Sequence, residues 1–183
     1  MSSDTTSYRV YKLKFELAMQ DPDMPAPRFH HVIFVESNPT DGSGVKFHVT
    51  GDITSGSGMK YESTSDPNPA SSDTNYTKEL LGYTSAKNFK ALWDATLTAC
   101  PTPPQQKAFN VRTMKTEPFK TLNPLTFYEP GEERRPLRKC TEWTEEQAIP
   151  ALRKAGLLLA SPPRPGSSSS GAGSRPGSSY GKK

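Results

Sequence analysis

Cysteine is scarce in this sequence: Cys100 and Cys140 are the only two. That excludes a disulfide framework and a zinc site built on paired CxxC motifs. Long apolar runs are absent as well. The longest, Val32–Val35 and Leu157–Ala160, have four residues each, whereas a bilayer-spanning helix needs about 20. No transmembrane segment is therefore expected. The start, Met1-Ser2-Ser3-Asp4, has no basic or apolar stretch of signal-peptide type, and there is neither an N-terminal Met-Gly nor a C-terminal prenylation box. These absences predict an intracellular, cytoplasmic protein with reduced thiols.

Apolar residues are few overall, at 32% with a mean hydropathy of −0.72, and the deficit is concentrated at one end. Residues 161–183 hold eight Ser, five Gly and four Pro, a composition that cannot bury enough surface to fold alone. The same segment carries Arg164, Arg175, Lys182 and Lys183 without an acid, which equals the whole net charge of +4. The sequence thus divides into a disordered N-terminus (1–7), one domain (8–160) and a disordered basic tail (161–183). At about 150 residues the domain is large enough for a core of its own. Being neutral, it has no electrostatic footprint for a phosphate backbone, and no nucleic-acid partner is expected for it. The tail suits weak contacts with acidic partners.

Within the domain the apolar period changes from 2 to 3.6. Tyr8–Leu17 alternates, with Tyr11, Leu13, Phe15 and Leu17 on one face and Lys12, Lys14 and Glu16 on the other, which predicts a half-buried strand. Phe29–Glu36 is nearly continuous in β-branched and aromatic residues, as in a central strand. Asp41-Gly42 signals a hairpin to a returning strand at Val45–Thr50, and Met59–Glu62 reads as a short third strand. Ser63–Thr77 reads as an exposed connection. Phe89, Leu92, Trp93, Thr96 and Leu97 fall on one helical face, with Ser85 as N-cap and Cys100-Pro101 as the stop. Pro101–Pro136 holds seven prolines and reads as irregular with one or two short strands. A last helix over about Thr141–Ala155 ends at Gly156. Thr144 with Gln147 offers a later start, and Pro150 predicts a kink. The fold class is α+β, an antiparallel sheet packed against helices.

All three histidines, His30, His31 and His48, lie on the two strands joined by the hairpin. Cys140 follows the basic run Arg134, Arg135, Arg138 and Lys139 and stands just before a helix, a setting that favours a thiolate. A histidine within reach would take the thiol proton, and a second polar group would orient that histidine. The chain thus contains the parts of a Cys–His–His triad. Alternation sends His30 and His31 to opposite faces, so one of them at most meets Cys140.

The arrangement is similar to the permuted papain-like superfamily, which includes NlpC-type hydrolases and lecithin–retinol acyltransferase-like proteins. Arg28-Phe29-His30-His31-Val32-Ile33-Phe34-Val35 resembles its first motif, and Gly44-Val45-Lys46-Phe47-His48-Val49 its second. Cys140-Thr141-Glu142-Trp143, continuing to Leu152 and Ala155-Gly156-Leu157, resembles its third. The chain as a whole looks like one of the uncharacterised fungal families in that group. The resemblance implies Cys140 as nucleophile, His30 as base, His48 as the orienting third residue and Trp143 as a packing residue. It implies hydrolysis or acyl transfer on an amide or ester of a small-molecule, peptide or lipid substrate, without a cofactor. The spacing from His30 to His48 is long for the group and predicts an extended loop over Asn38–Ser43.

Two rivals stand beside this reading. One is a papain-like interaction module without activity, which a Cys140 unreactive to thiol probes would favour. The other is a Cys/His zinc site, which elevated zinc in the purified protein would favour; the opposed His30 and His31 argue against it.

Overall fold

The structure, a computed structural model, describes residues 6–71, 75–87 and 89–163. The readings of residues 1–5 and 164–183 as disordered fall outside these. Five strands, β1 (Ser7–Glu16), β2 (Phe29–Asn38), β3 (Ser43–Gly51), β4 (Met59–Asp66) and β5 (Tyr76–Ser85), form one antiparallel sheet in the order β4-β3-β2-β1-β5. The helix α1 (Phe89–Thr98) follows, then a small sheet of β6 (Lys107–Asn110), β7 (Lys115–Leu122) and β8 (Leu125–Phe127). The last helical segment comprises α2 (Cys140–Trp143), a π turn (Thr144–Ala148) and α3 (Ile149–Lys154). The architecture is α+β, as the change of period predicts. No helix among the described residues is long and apolar enough to cross a membrane.

The sheet carries an apolar set on each face, because its strands alternate. The helices cover one face, while the edge residues of the other, such as Lys78 and Leu80, stay exposed. Leu13, Val32 and Phe34 form one cluster; Ile33, Val35, Phe47 and Val49 form the other, with Trp93, Leu97, Cys140, Trp143 and Leu152 from the helices. The second cluster covers the Lys12 side of β1, which alternation alone reads as solvent-facing. Lys12 is instead buried, its ammonium 2.8 Å from Glu145 and 3.0 Å from Glu79. Snorkelling to two carboxylates is what lets a lysine occupy this face.

The loop between β2 and β3 is not extended. Both strands lengthen, leaving Pro39–Gly42 as the turn, with Gly42 at φ 74 and its N–H on the Asn38 carbonyl at 2.9 Å. In α1, Phe89, Trp93 and Leu97 are buried while Leu92 stays exposed. Ser85 closes β5 instead of capping α1; its hydroxyl accepts from the Lys87 N–H at 3.2 Å. The segment read as an exposed connection over Ser63–Thr77 contains the end of β4 and the start of β5.

Pro150 explains the π turn. A regular helix would press its ring against the carbonyl of residue 146 and leave that carbonyl without a donor. The wider turn, closed by Ile149 N–H on Thr144 O, relieves this one residue before the proline. Thr144 caps nothing, being fully buried inside the segment. Gly156, at φ 69, ends the helix as predicted.

Beyond it, Leu159 pairs with Tyr83 through two 2.8 Å backbone bonds on the outer edge of β5. Only glycine permits this approach: a Cβ on Gly82 would lie 2.1 Å from the Leu159 carbonyl oxygen, at φ 150. Gly82→Ala is expected to detach the segment and destabilise the domain by about 2 kcal/mol or more, read as a lower urea midpoint. An unchanged midpoint would mean that the Leu159 pairing carries no stability.

Candidate functional site

The β2–β3 ladder is closed from the hairpin down to Ile33 opposite Phe47 and extends no further. Below that point β2 pairs with β1 alone and β3 with β4 alone. The two central strands therefore part at the start of β2. His30 and His48 bridge this opening, with His30 Nε2 2.9 Å from His48 Nδ1 and the rings edge to face. Both rings belong to the Leu13/Val32/Phe34 side, since His30 is paired with Phe15, and His48 alternates with the buried Phe47 and Val49.

Cys140 approaches the same opening from the other side. Its helix packs against both β2 and β3, and Cys140 is 6% exposed. The sulfur lies 3.7 Å from the carbonyl oxygen of Phe29, the residue before His30, in donor geometry. His30 and His48 are thus in direct contact, and the thiol rests at the backbone beside them. His31 points to the helix side, 5% exposed, with Nδ1 3.6 Å from Glu145 Oε1 and without a hydrogen-bond partner among the described residues.

Burial holds all three imidazoles toward the neutral form. His31 is lowered to about 4 by desolvation, against the pull of Glu145. His48 is lowered to about 4 by desolvation, then by His30. His30 is lowered by desolvation and by Lys46. The cations that precede Cys140 in sequence do not face it as free charges. Lys139 is bound 2.9 Å from Asp21 and 3.5 Å from Asp52, Arg134 is 3.0 Å from Asp23, and Arg138 pairs with Glu146. The activating basic cluster read from sequence is, in the fold, an ion-paired scaffold. It fixes the helix start: Glu142 accepts from the Lys139 N–H at 2.7 Å and binds Arg28 through both oxygens at 2.8 and 2.9 Å. These pairs, which tie the loop between β1 and β2 to the helix, join residues more than 110 positions apart, and no local signal in the sequence announces them.

Among the described residues, no group of three or more His, Cys, Asp or Glu is arranged to hold a metal ion. Residues 17–159 match DUF6540, a family of unknown function. The chain belongs to DUF6540. No curated protein and no solved structure matches it. The DUF6540 region spans both histidine strands and the Cys140 helix, so the whole candidate site lies within it.

Proposed function

We propose that this DUF6540 chain is a permuted papain-like thiol enzyme acting on an amide or ester, with Cys140 as nucleophile, His30 as base and His48 as its orienting partner. The observation that carries this is the 2.9 Å His30–His48 contact across the opening where the Cys140 sulfur meets the start of β2. The contact uses His30 Nε2, which leaves Nδ1 for the thiol. For Nδ1 to accept a proton, Nε2 must carry one and donate it to His48 Nδ1. A His48 held neutral at ordinary pH can accept it.

The reaction requires the Cys140 sulfur to leave the Phe29 carbonyl on the helix side and reach His30 through the opening between β2 and β3. His30 takes the thiol proton as sulfur attacks the substrate carbonyl. The S–C bond forms and the amine or alcohol leaves with the proton from His30. Water, deprotonated by His30, then cleaves the thioester, releasing the acid and restoring the thiol; another acceptor alcohol or amine in place of water gives acyl transfer. His48 holds the His30 ring in position and accepts from it while it is charged.

Labelling with a broad thiol electrophile tests this reading. Cys140→Ala should abolish the label, and His30→Ala should slow it tenfold or more near neutral pH. A label on Cys100 in place of Cys140, or a rate indifferent to His30, would favour an inactive interaction module. His31 supports a second reading, because it shares the helix side with Cys140 and has Glu145 to orient it. In that case His31→Ala, and not His30→Ala, slows the labelling.

A further inference from the structure

A cleft of about 270 Å³ lies between the small sheet and the segment leading into α2. Its apolar walls are Pro104, Pro118, Phe119, Tyr128, Pro136 and Leu137. We propose that this cleft is the subsite for an uncharged apolar group of the substrate, an aromatic ring or a short aliphatic chain carried next to the acyl carbon. This assignment rests on Cys140 being the nucleophile.

The polar groups around the cleft are already engaged. Gln106 clasps the backbone of Arg138, donating to its carbonyl at 2.7 Å and accepting from its N–H at 2.9 Å. Gln105 donates to the Lys107 and Thr54 carbonyls at 3.1 and 3.2 Å. Arg135 binds the Tyr128 hydroxyl at 3.2 Å and the Lys120 carbonyl, and Arg138 pairs with Glu146. A charged or strongly polar ligand group would have to break one of these contacts, whereas an apolar group covers the apolar walls at no such cost.

Size and position agree with this occupant. An apolar cavity of about 150 Å³ already admits a benzene ring, so the cleft takes a benzyl group or a chain of several carbons. Arg138, on its rim, is two residues from Cys140, and two residues span about 7 Å at most. The cleft thus adjoins the start of α2 in the chain, and the proposal seats the apolar group there with the scissile carbonyl at the sulfur. Gln106 holds the backbone of Arg138 on both sides, and Lys139 between it and Cys140 is extended at φ −129.

Alkylation of Cys140 by chloroacetamide and by N-benzylchloroacetamide tests the assignment on the full chain. The rate ratio, normalised to the same ratio on glutathione, should favour the benzyl reagent about tenfold or more. Leu137→Trp, which fills the cleft, should return it to one, and Phe119→Ala, which widens it, should shift the preference toward a bulkier N-naphthylmethyl reagent. A wild-type ratio of one, or a preference that survives both variants, overturns the subsite. If Cys140 reacts with neither reagent, the thiol-enzyme reading fails by itself. The cleft is then judged by N-phenyl-1-naphthylamine fluorescence: enhancement lost in Leu137→Trp supports an apolar site, and no enhancement in the wild type overturns it.

Discussion

Lys107→Met is expected to cost about 3 kcal/mol or more, a fall in Tm of roughly 6–12 °C for a chain of this size. Lys107 is 5% exposed, with its ammonium 2.8 Å from Asp21 and 2.7 Å from Asp23. Burial alone would lower its pKa, but the two carboxylates outweigh this and raise it. Desolvation likewise works against the Asp21 carboxylate, and Lys107 and Lys139 overcome it, holding Asp21 at about 2. Removing the lysine leaves two half-buried carboxylates close together, with only Lys139 and Arg134 to balance them. Breaking a buried pair on one side is costly for this reason, while replacing both partners is often nearly neutral. Adding Asp21→Asn and Asp23→Asn to Lys107→Met should therefore recover part of the loss. Lys120→Met, at an exposed ion pair with Glu132, serves as the control and should change little. Urea unfolding of the four proteins checks the ordering, and a Lys107→Met protein as stable as the control would refute it.

Acid should unfold the domain earlier than its carboxylates alone would. His31 and His48 are lowered to about 4 in the fold from an ordinary value of 6.5. Their folded pKa values are depressed, so the unfolded chain binds more protons between pH 6.5 and 4. The stability they contribute is fully present above about pH 6.5 and is lost as pH falls toward 4. One pKa unit corresponds to about 1.4 kcal/mol, which gives roughly 3 kcal/mol for the buried His31 and less for the partly exposed His48. Asp21 acts only lower, between its ordinary 3.8 and about 2. The urea midpoint should fall steadily from pH 7 to pH 4.5, and His31→Gln should flatten the slope even though it lowers stability at pH 7. A wild-type midpoint constant over that range would contradict the burial of neutral imidazoles.

Local pattern in the sequence was enough for the central strands, the hairpin at Asp41-Gly42, the face of α1 and the helix stop at Gly156. Each rests on residues within a few positions of one another. The His30–His48 meeting was legible for the same reason, because a hairpin joins their strands. β5 was not, since it is an edge strand: Thr77, Lys78 and Glu79 are exposed, and a bulge opposite Val10/Tyr11 breaks its period. β7 was hidden by Pro118 and by its Lys and Thr residues, so only short pieces of the small sheet showed. The apolar stretch at Phe109–Met114 is partly its turn, with Val111 and Met114 exposed. The buried Lys12, and the carboxylates that take up the cations before Cys140, depend on contacts between distant segments. Composition could supply the charges there but not their partners.

The pairing of Leu159 on β5 has a neighbour three residues along the same strand end. Ala86 donates its N–H to the Thr6 carbonyl at 2.9 Å, while Tyr83 holds Leu159. Thr6 lies on the β1 side of β5 and Leu159 on its outer edge. At about 3.3 Å per residue along the strand and about 4.8 Å between strands, the places where the domain is entered and left therefore stand roughly 14 Å apart. A bridge of a few residues could join them, and the chain could then be cut at an exposed turn such as Pro39–Gly42 without disturbing either cluster of the core. Topologically the domain is close to a ring, which suits it to being spliced whole into a loop of a host protein.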